Sequence, residues 1–437
     1  MSSIADFFKL KENKTDVGTE VRAGIATFLT MAYIIVVNPG ILSNTGMPFA
    51  GVLFATVLVA SLSSILMGLV TNLPFAIAPG MGLNAFFAFS LCIGMKIPWQ
   101  TALGVVFVSG VIFLILSITG VRQAIVQSIP ASLRYGVAAG IGLFLSIIGL
   151  TSVKFIVTSP ATTVTFGGIN PTTILFLIGL AITGILIARK VKGSLIIGIA
   201  ATSLLALIAS KTIDGAAGMI TVPDSVFAVP SLDVFFQLDI LGALTVSMAA
   251  PIFTFLFTDI FDSLSTFLGV SEVGGFIEKD GQPKNVGKAL LVDAVSTTIS
   301  GLFGTSSGTT YIESASGIEE GGRTGLTAVV TGLLFLPFMF LSPLLSFVPA
   351  VATAPILVLI GLFMMKPVAK IAWDDYEEAI PAFLALILIP LTYSITQGIV
   401  WGFLSYTVLK ILKGKIRELP LMIYIIDAGA ILSLIYH

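Results

Sequence analysis

Apolar residues in this chain come in long unbroken runs separated by short polar stretches, with little alternation of period two. A run of about 20 such residues is what a helix needs to cross the hydrocarbon of a bilayer. On that ruler, crossings are predicted over 21–38, 50–70, 98–120, 131–150, 171–189, 193–210, 241–266, 285–303, 324–342, 349–365, 379–394 and 396–412. Segments 73–92 and 304–322 are also small or apolar, but Gly, Pro, Ser and Thr interrupt them. Each is predicted as a discontinuous crossing, half extended chain and half helix, which brings the count to fourteen. The last apolar stretch, 419–436, contains Asp427 and is predicted to lie on the surface. Ile4, Phe7, Phe8 and Leu10 predict a short amphipathic helix anchored there too.

The two interrupted segments carry the most information. Pro74 and Pro79 withhold backbone donors while Gly80 and Gly82 loosen the chain, so helix is expected only from about Gly80. A simple Pro-kinked helix is the alternative for this segment taken alone. Its counterpart, 304–317, is a run of Thr and Ser with three glycines that leans towards extended structure. Ser314 is the predicted cap of the helix that follows. Two such half-helices would aim their N–H-bearing ends at one midplane site.

The halves of the chain resemble each other. Pro130-Ala131 followed by Ile141-Gly142-Leu143-Phe144 recurs, at the same spacing, as Pro349-Ala350 followed by Ile360-Gly361-Leu362-Phe363. Ser63 through Leu69 matches Ser296 through Leu302, ahead of the interrupted segments. Seven crossings per half make the second copy inverted, the build of a secondary transporter. Charge fits this count. With both termini cytoplasmic, only Lys96, Lys154 and Lys211 fall outside, and the other nineteen of the 22 Lys and Arg, Arg122 and Lys279 among them, fall inside. Losing either interrupted crossing would scramble that asymmetry.

Composition narrows the class further. Only 10% of the 437 residues are charged and mean hydropathy is +1.06, whereas soluble domains carry roughly 25% charged residues. A cytosolic enzyme and an outer-membrane barrel are both excluded. The net charge of −1 leaves no footprint for nucleic acid. The lone Cys92 excludes a disulfide framework, and the polar first twenty residues do not read as a cleaved leader. There is no nucleotide-binding motif, metal-ligand set or nucleophile elbow, so neither an ATP-driven pump nor an enzyme is expected, and no cofactor. Gly321-Gly322-Arg323-Thr324-Gly325 lacks a P-loop lysine and reads as a turn, and 374–378 as a solvated helix end.

Ionisable groups inside a bilayer are expensive and mark function. Asp259, Asp262, Asp293 and Glu313 lie within predicted crossings, with no intramembrane Lys or Arg to neutralise them. Asp259 and Asp262 are three apart and share a helix face. Asp293 sits among Ser296, Thr297 and Thr298, where it either serves function or bridges helices.

The wording of Thr309-Thr310-Tyr311-Ile312-Glu313-Ser314 and of Phe257-Thr258-Asp259-Ile260-Phe261-Asp262-Ser263 resembles the nucleobase–cation symporters. Residues 78–87, 312–326 and 26–33 resemble their azaguanine-like purine branch. The resemblance covers essentially the whole chain. It implies an all-α polytopic protein of fourteen segments in two inverted repeats. It implies a core domain from 1–122 and 240–342, a gate domain from 123–239 and 343–414, and a terminal surface segment, 415–437. It implies proton-coupled uptake of adenine, guanine or hypoxanthine through the cell membrane, often as a homodimer among membrane lipids. Glu313 and Asp259 match the family's substrate-facing acids, and Asn84 the polar residue of its first broken helix. Gly82, Met81, Ser314 and Thr30 are expected beside the substrate, and Asp262, with Asp259 and Glu313, in proton coupling. Asp259 stands where uracil and xanthine carriers favour Glu, and Ser263 where uracil carriers place a histidine. Uracil, xanthine or an anion is therefore the alternative cargo.

Overall fold

The computed structural model describes residues 4–119, 129–213, 220, 223, 225–277 and 283–435. The expected 122/123 domain boundary, Arg122 and Lys279 lie outside them. The described chain is helical, with two small antiparallel sheets. Ten of its helices are long and apolar enough to cross a membrane, and the protein is a multi-pass membrane protein.

The first span is Val17–Met31 (α1) and Ile34–Leu42 (α2), then Phe49–Thr71 (α3). Strand Ile77–Pro79 (β1) leads into Met81–Ala85 (α4), which continues as a wide π turn through Phe86–Gly94. Trp99–Thr119 (α5) and Ala131–Ser152 (α6) precede an exposed hairpin of Ile156–Ser159 (β2) and Thr163–Phe166 (β3). Pro171–Ala188 (α7), Ser194–Thr212 (α8), Ala249–Gly274 (α9) and Val286–Phe303 (α10) come next. Strand Gly308–Thr310 (β4) then leads into Ser314–Glu319 (α11) and Gly325–Phe335 (α12). Ala350–Met365 (α13), Tyr376–Thr392 (α14), Ile395–Leu412 (α15) and Leu421–Ile435 (α16) complete the chain.

The helices fall into two packed groups. One holds α1, α3, α5, α9, α10 and α12; the other holds α6, α7, α8, α13, α14 and α15. Residues matched between the halves meet in space. Ser296 Oγ donates to Ser63 Oγ at 2.8 Å. Gly142 of α6 and Gly361 of α13 lie where a Cβ on either would strike the other's carbonyl oxygen. The internal similarity is therefore also a packing rule, since small residues recur where the repeat-related helices cross.

Several expectations are corrected. The first span starts at Val17 and its hydrogen bonding tightens at Ala32 and Tyr33, where Ile35 N–H reaches Ala32 O at 3.2 Å. The expected crossing 324–342 is α12 running into a 3-10 turn, Leu336–Phe340, at Pro337. The crossing expected over 241–266 begins at Ala249, after two short helical turns. The crossing at 379–394 is the 17-residue α14. The terminal stretch does not merely lie on the surface, because α16 packs against α15 and α9 with Asp427 buried. At the N-terminus, Phe8 and Leu10 are buried against Leu326 rather than left facing lipid.

The backbone donors of the 321–325 turn are taken internally. Glu20, fully buried in α1, accepts from the N–H groups of Arg323 at 2.9 Å, Thr324 at 3.3 Å and Thr327 at 3.2 Å. The Thr327 hydroxyl adds a bond of 2.6 Å. These are the donors a helix start leaves orphaned. Glu20→Ala should strand them in a dry interior, a loss of about 1–3 kcal/mol. The check is thermal unfolding in detergent, where an unchanged melting temperature would refute the clamp. In the acidic run 374–378, Asp374 and Asp375 are exposed as expected. Glu377 is instead buried, paired with Lys410 at 3.0 Å, Lys413 at 2.8 Å and Lys415 at 2.6 Å. That carboxylate holds the Lys415 ammonium above its usual range.

Candidate functional site

The interrupted segments cross each other. β1 pairs antiparallel with β4, Ile77 opposite Thr310, Ala78 opposite Thr309 and Pro79 opposite Gly308. Extended backbone at membrane depth needs every polar group satisfied from within the protein. Here Ser64 Oγ accepts from Ile77 N at 2.9 Å and donates to Ile77 O at 3.0 Å. Ala76 N donates to Ser314 Oγ at 3.0 Å, and Gly80 N to Ser307 O at 2.9 Å. The Tyr311 hydroxyl donates to Pro79 O at 2.5 Å. Three-residue strands survive here because side-chain hydroxyls extend the ladder at both ends.

A cleft of about 80 Å³ opens beside this crossing, lined among others by Tyr33, Met81, Gly82, Asp262, Tyr311 and Glu313. Glu313 immediately precedes α11, with its side chain in the cleft rather than capping the helix. The Tyr33 hydroxyl donates to Glu313 Oε1 at 2.8 Å. Ile360 and Met364 of α13 form the opposite wall, so both packed groups border the cleft. Chemically it offers the carboxylates of Glu313 and Asp262 and an apolar wall, while the Thr310 hydroxyl on its edge is spent on Asp293.

The four acids take different places. Glu313 and Asp262 are half-buried on the cleft. Asp259 and Asp293 are buried behind it. Thr297 Oγ1 donates to Asp259 Oδ2 at 2.5 Å. Asp293 takes bonds from Ser263 and, at 3.1 Å, from Thr310, and so joins α9, α10 and β4. Asp259 and Asp262 occupy neighbouring edges of one helix face, one turned to α10 and the other to the opening.

Among the other expected residues, Met81 and Gly82 line the cleft. Thr30 bonds back to Thr27 O at 2.8 Å and approaches Glu313 O at 3.5 Å. Ser314 does not cap α11; its hydroxyl is committed to Ala76. Asn84 is fully buried, with Oδ1 accepting from Ser306 and Nδ2 donating to Met81 Sδ at 3.7 Å. It ties one interrupted segment to the other. Asn84→Ala should remove that tie, destabilise the crossing by about 1–3 kcal/mol and displace Met81. Thermal unfolding and ligand binding would read this, and no change in either would reduce Asn84 to filling space. Tyr33 and Tyr311 were not singled out from the sequence, although a tyrosine in an apolar span is itself a signal, since its hydroxyl needs a partner.

A larger cavity of about 450 Å³ lies between the two groups, lined among others by Ser90, Pro251, Tyr393 and Thr396. The groups are joined beside it by Ser90 Oγ donating to Tyr393 O at 2.7 Å and by Thr254 Oγ1 donating to Thr396 Oγ1 at 2.9 Å.

Residues 18–401 match Xan_ur_permease, described as "Permease family". The chain belongs to this permease family. It is a transporter and not an enzyme. Adenine permease AdeP of Escherichia coli (strain K12) is 41% identical, over 98% of this chain and 95% of that protein. Guanine/hypoxanthine permease PbuG of Bacillus subtilis (strain 168) is 42% identical, over 96% of each. The transmembrane domain of the cyanobacterial bicarbonate transporter BicA superposes with a TM-score of 0.67 at 15% identity, over 87% of this chain and 96% of that one. That likeness speaks for the fold alone.

Proposed function

We propose that this permease imports a purine nucleobase, adenine, guanine or hypoxanthine, together with a proton. The observation that carries the reading is the Glu313 carboxylate, oriented by Tyr33, at a cleft beside two paired strands. A purine presents ring and exocyclic N–H donors along one edge, which Glu313 accepts. Relatives that span the chain are named adenine and guanine/hypoxanthine permeases. Asp262, with Asp259 and Glu313, belongs to proton coupling, and Asn84, Ser314 and Thr30 hold the site in shape.

Fourteen crossings in two inverted halves fit the element order, the ten long helices joined by two interrupted segments and two shorter helices. The group containing α9 and α10 is the moving core and the group containing α6 and α13 the gate. A cleft of about 80 Å³ is far below the roughly 300–1,000 Å³ of a ligand pocket, so loading requires core and gate to part. That supports an elevator-like cycle in the cell membrane, with both termini cytoplasmic by the Lys and Arg asymmetry.

The alternative is an anion carrier on the same fold. Acids on and behind the cleft oppose it, since a bare anion would meet like charge. Competition against labelled adenine and hypoxanthine on purified protein separates the readings. Adenine, guanine and hypoxanthine should compete while uracil, xanthine and bicarbonate do not. Binding of bicarbonate or uracil in place of purines would overturn the proposal.

A further inference from the structure

We propose that a basic cavity beside the 321–325 turn is a second binding site, one that takes a ligand carrying a phosphate group. It is separate from the nucleobase cleft and stands whether or not the transport reading does. The cavity, of about 430 Å³, lies where the N-terminal segment, the end of α3, the α9–α10 connection and the turn come together. Lys9, Lys284, Lys288 and Arg323 line it, against one carboxylate among the described residues, Glu12. Glu12 pairs with Lys9 at 3.6 Å. Lys284, Lys288 and Arg323 make no ion pair among the described residues. A cleft lined by one sign of charge concentrates ions of the other.

Lysines spread over one end of a membrane protein need no ligand. Here they border a single cavity whose walls are tied together. Asn72 Oδ1 accepts from Gly325 N and its Nδ2 donates to Phe8 O, both at 2.9 Å. Asn285 Nδ2 donates to Thr71 O at 3.0 Å. Those amides join the N-terminal segment, α3, α10 and the start of α12, so the cavity is formed in advance of any ligand. Arg323 is held as well, with Nη1 donating to Ile318 O and Gly322 O, each at 2.7 Å. Its other guanidinium nitrogens make no bond among the described residues. The turn's own N–H groups are spent on Glu20 and Asn72, so side chains rather than backbone supply the donors.

Charge and size together select the ligand. A guanidinium fork with ammonium groups around the same volume suits the several oxygens and multiple charge of a phosphate. The volume falls within the roughly 300–1,000 Å³ of sites for organic ligands, so the phosphate is carried on a larger body. Val70, Leu73 and Phe276 give that body an apolar wall. No residue of α6, α7, α8, α13, α14 or α15 lines the cavity among the described residues. A bound ligand therefore braces one helical group without bridging it to the other, and leaves the nucleobase cleft open.

The test is isothermal titration and thermal unfolding of the full-length protein in a nonionic detergent. Ribose 5-phosphate is the soluble probe, with ribose as its uncharged control; it has no base to enter the nucleobase cleft. Dihexanoylphosphatidylglycerol is the lipid probe, with dihexanoylphosphatidylcholine as control. Saturable binding of the sugar phosphate alone assigns the site to a soluble metabolite, and of the glycerol lipid alone to a headgroup. Either should raise the melting temperature, and neither control should. Replacing both exposed lysines, Lys284→Gln with Lys288→Gln, should weaken binding by about tenfold or more while the ligand-free melting temperature stays unchanged. Lys211→Gln, an exposed lysine outside the cavity, should change it by less than about twofold. Adenine affinity should stay within about twofold at saturating ribose 5-phosphate, and absence of adenine binding altogether would sink the transport reading while leaving this site standing. No saturable binding of either probe would overturn the proposal, as would equal affinity in the wild type and the double lysine variant, or displacement of adenine by ribose 5-phosphate.

Discussion

Glu313→Gln is expected to weaken nucleobase binding by about a hundredfold while the protein remains folded. In the structure one carboxylate oxygen is taken by the Tyr33 hydroxyl. Glutamine would give its carbonyl to Tyr33 and turn its NH₂ into the cleft, donor against the donors of a purine. Losing one charge-assisted bond and leaving two buried donors unpaired removes about 3 kcal/mol, roughly a hundredfold in affinity. A hydrogen-bonding site that loses its partner discriminates in just this way. Tyr33→Phe should weaken binding less, by about tenfold, because the carboxylate survives without its orienting bond. Scintillation binding on both variants checks this, and near-normal affinity in Glu313→Gln would remove Glu313 from the substrate contact.

The second large effect is expected at Asp262. Asp262→Asn keeps the size of the side chain on the cleft and removes the carboxyl proposed to exchange the proton. Binding should change by no more than a few fold, and exchange of labelled for unlabelled nucleobase should persist. Accumulation against a concentration gradient should disappear, because movement of the nucleobase is no longer tied to proton flow. Asp293→Asn is the contrast. Its carboxylate is spent on Ser263 and Thr310, so the damage should appear as lost stability. Full accumulation by Asp262→Asn would move the coupling site elsewhere.

Much of the architecture was legible in the chain because bilayer physics leaves few options. Continuous apolar runs had to be helices, and the pairing of Pro74 and Pro79 with the Thr/Ser run at 305–310 marked extended chain on both sides of one site. The antiparallel pairing of β1 with β4 was not legible, since a three-residue strand carries no periodicity. Nor was the role of Glu20, whose partners lie some three hundred residues away and follow from how α1 meets α12. The spacing of three put Asp259 and Asp262 on one face, and the family resemblance turned Asp259 towards the substrate, whereas Asp262 is the one that lines the cleft. Which one faces the opening is set by the approach of α10, whose Thr297 claims Asp259.

The central claim is that an acid-lined cleft between two helical groups couples purine entry to a proton. The most direct measurement is uptake of radiolabelled adenine and hypoxanthine by proteoliposomes of the purified protein under an imposed inward proton gradient, with and without a protonophore. The account predicts accumulation above equilibrium that the protonophore abolishes and that unlabelled purines, but not uracil, suppress. Accumulation that follows a sodium gradient and ignores the protonophore would contradict it, as would the absence of any purine accumulation.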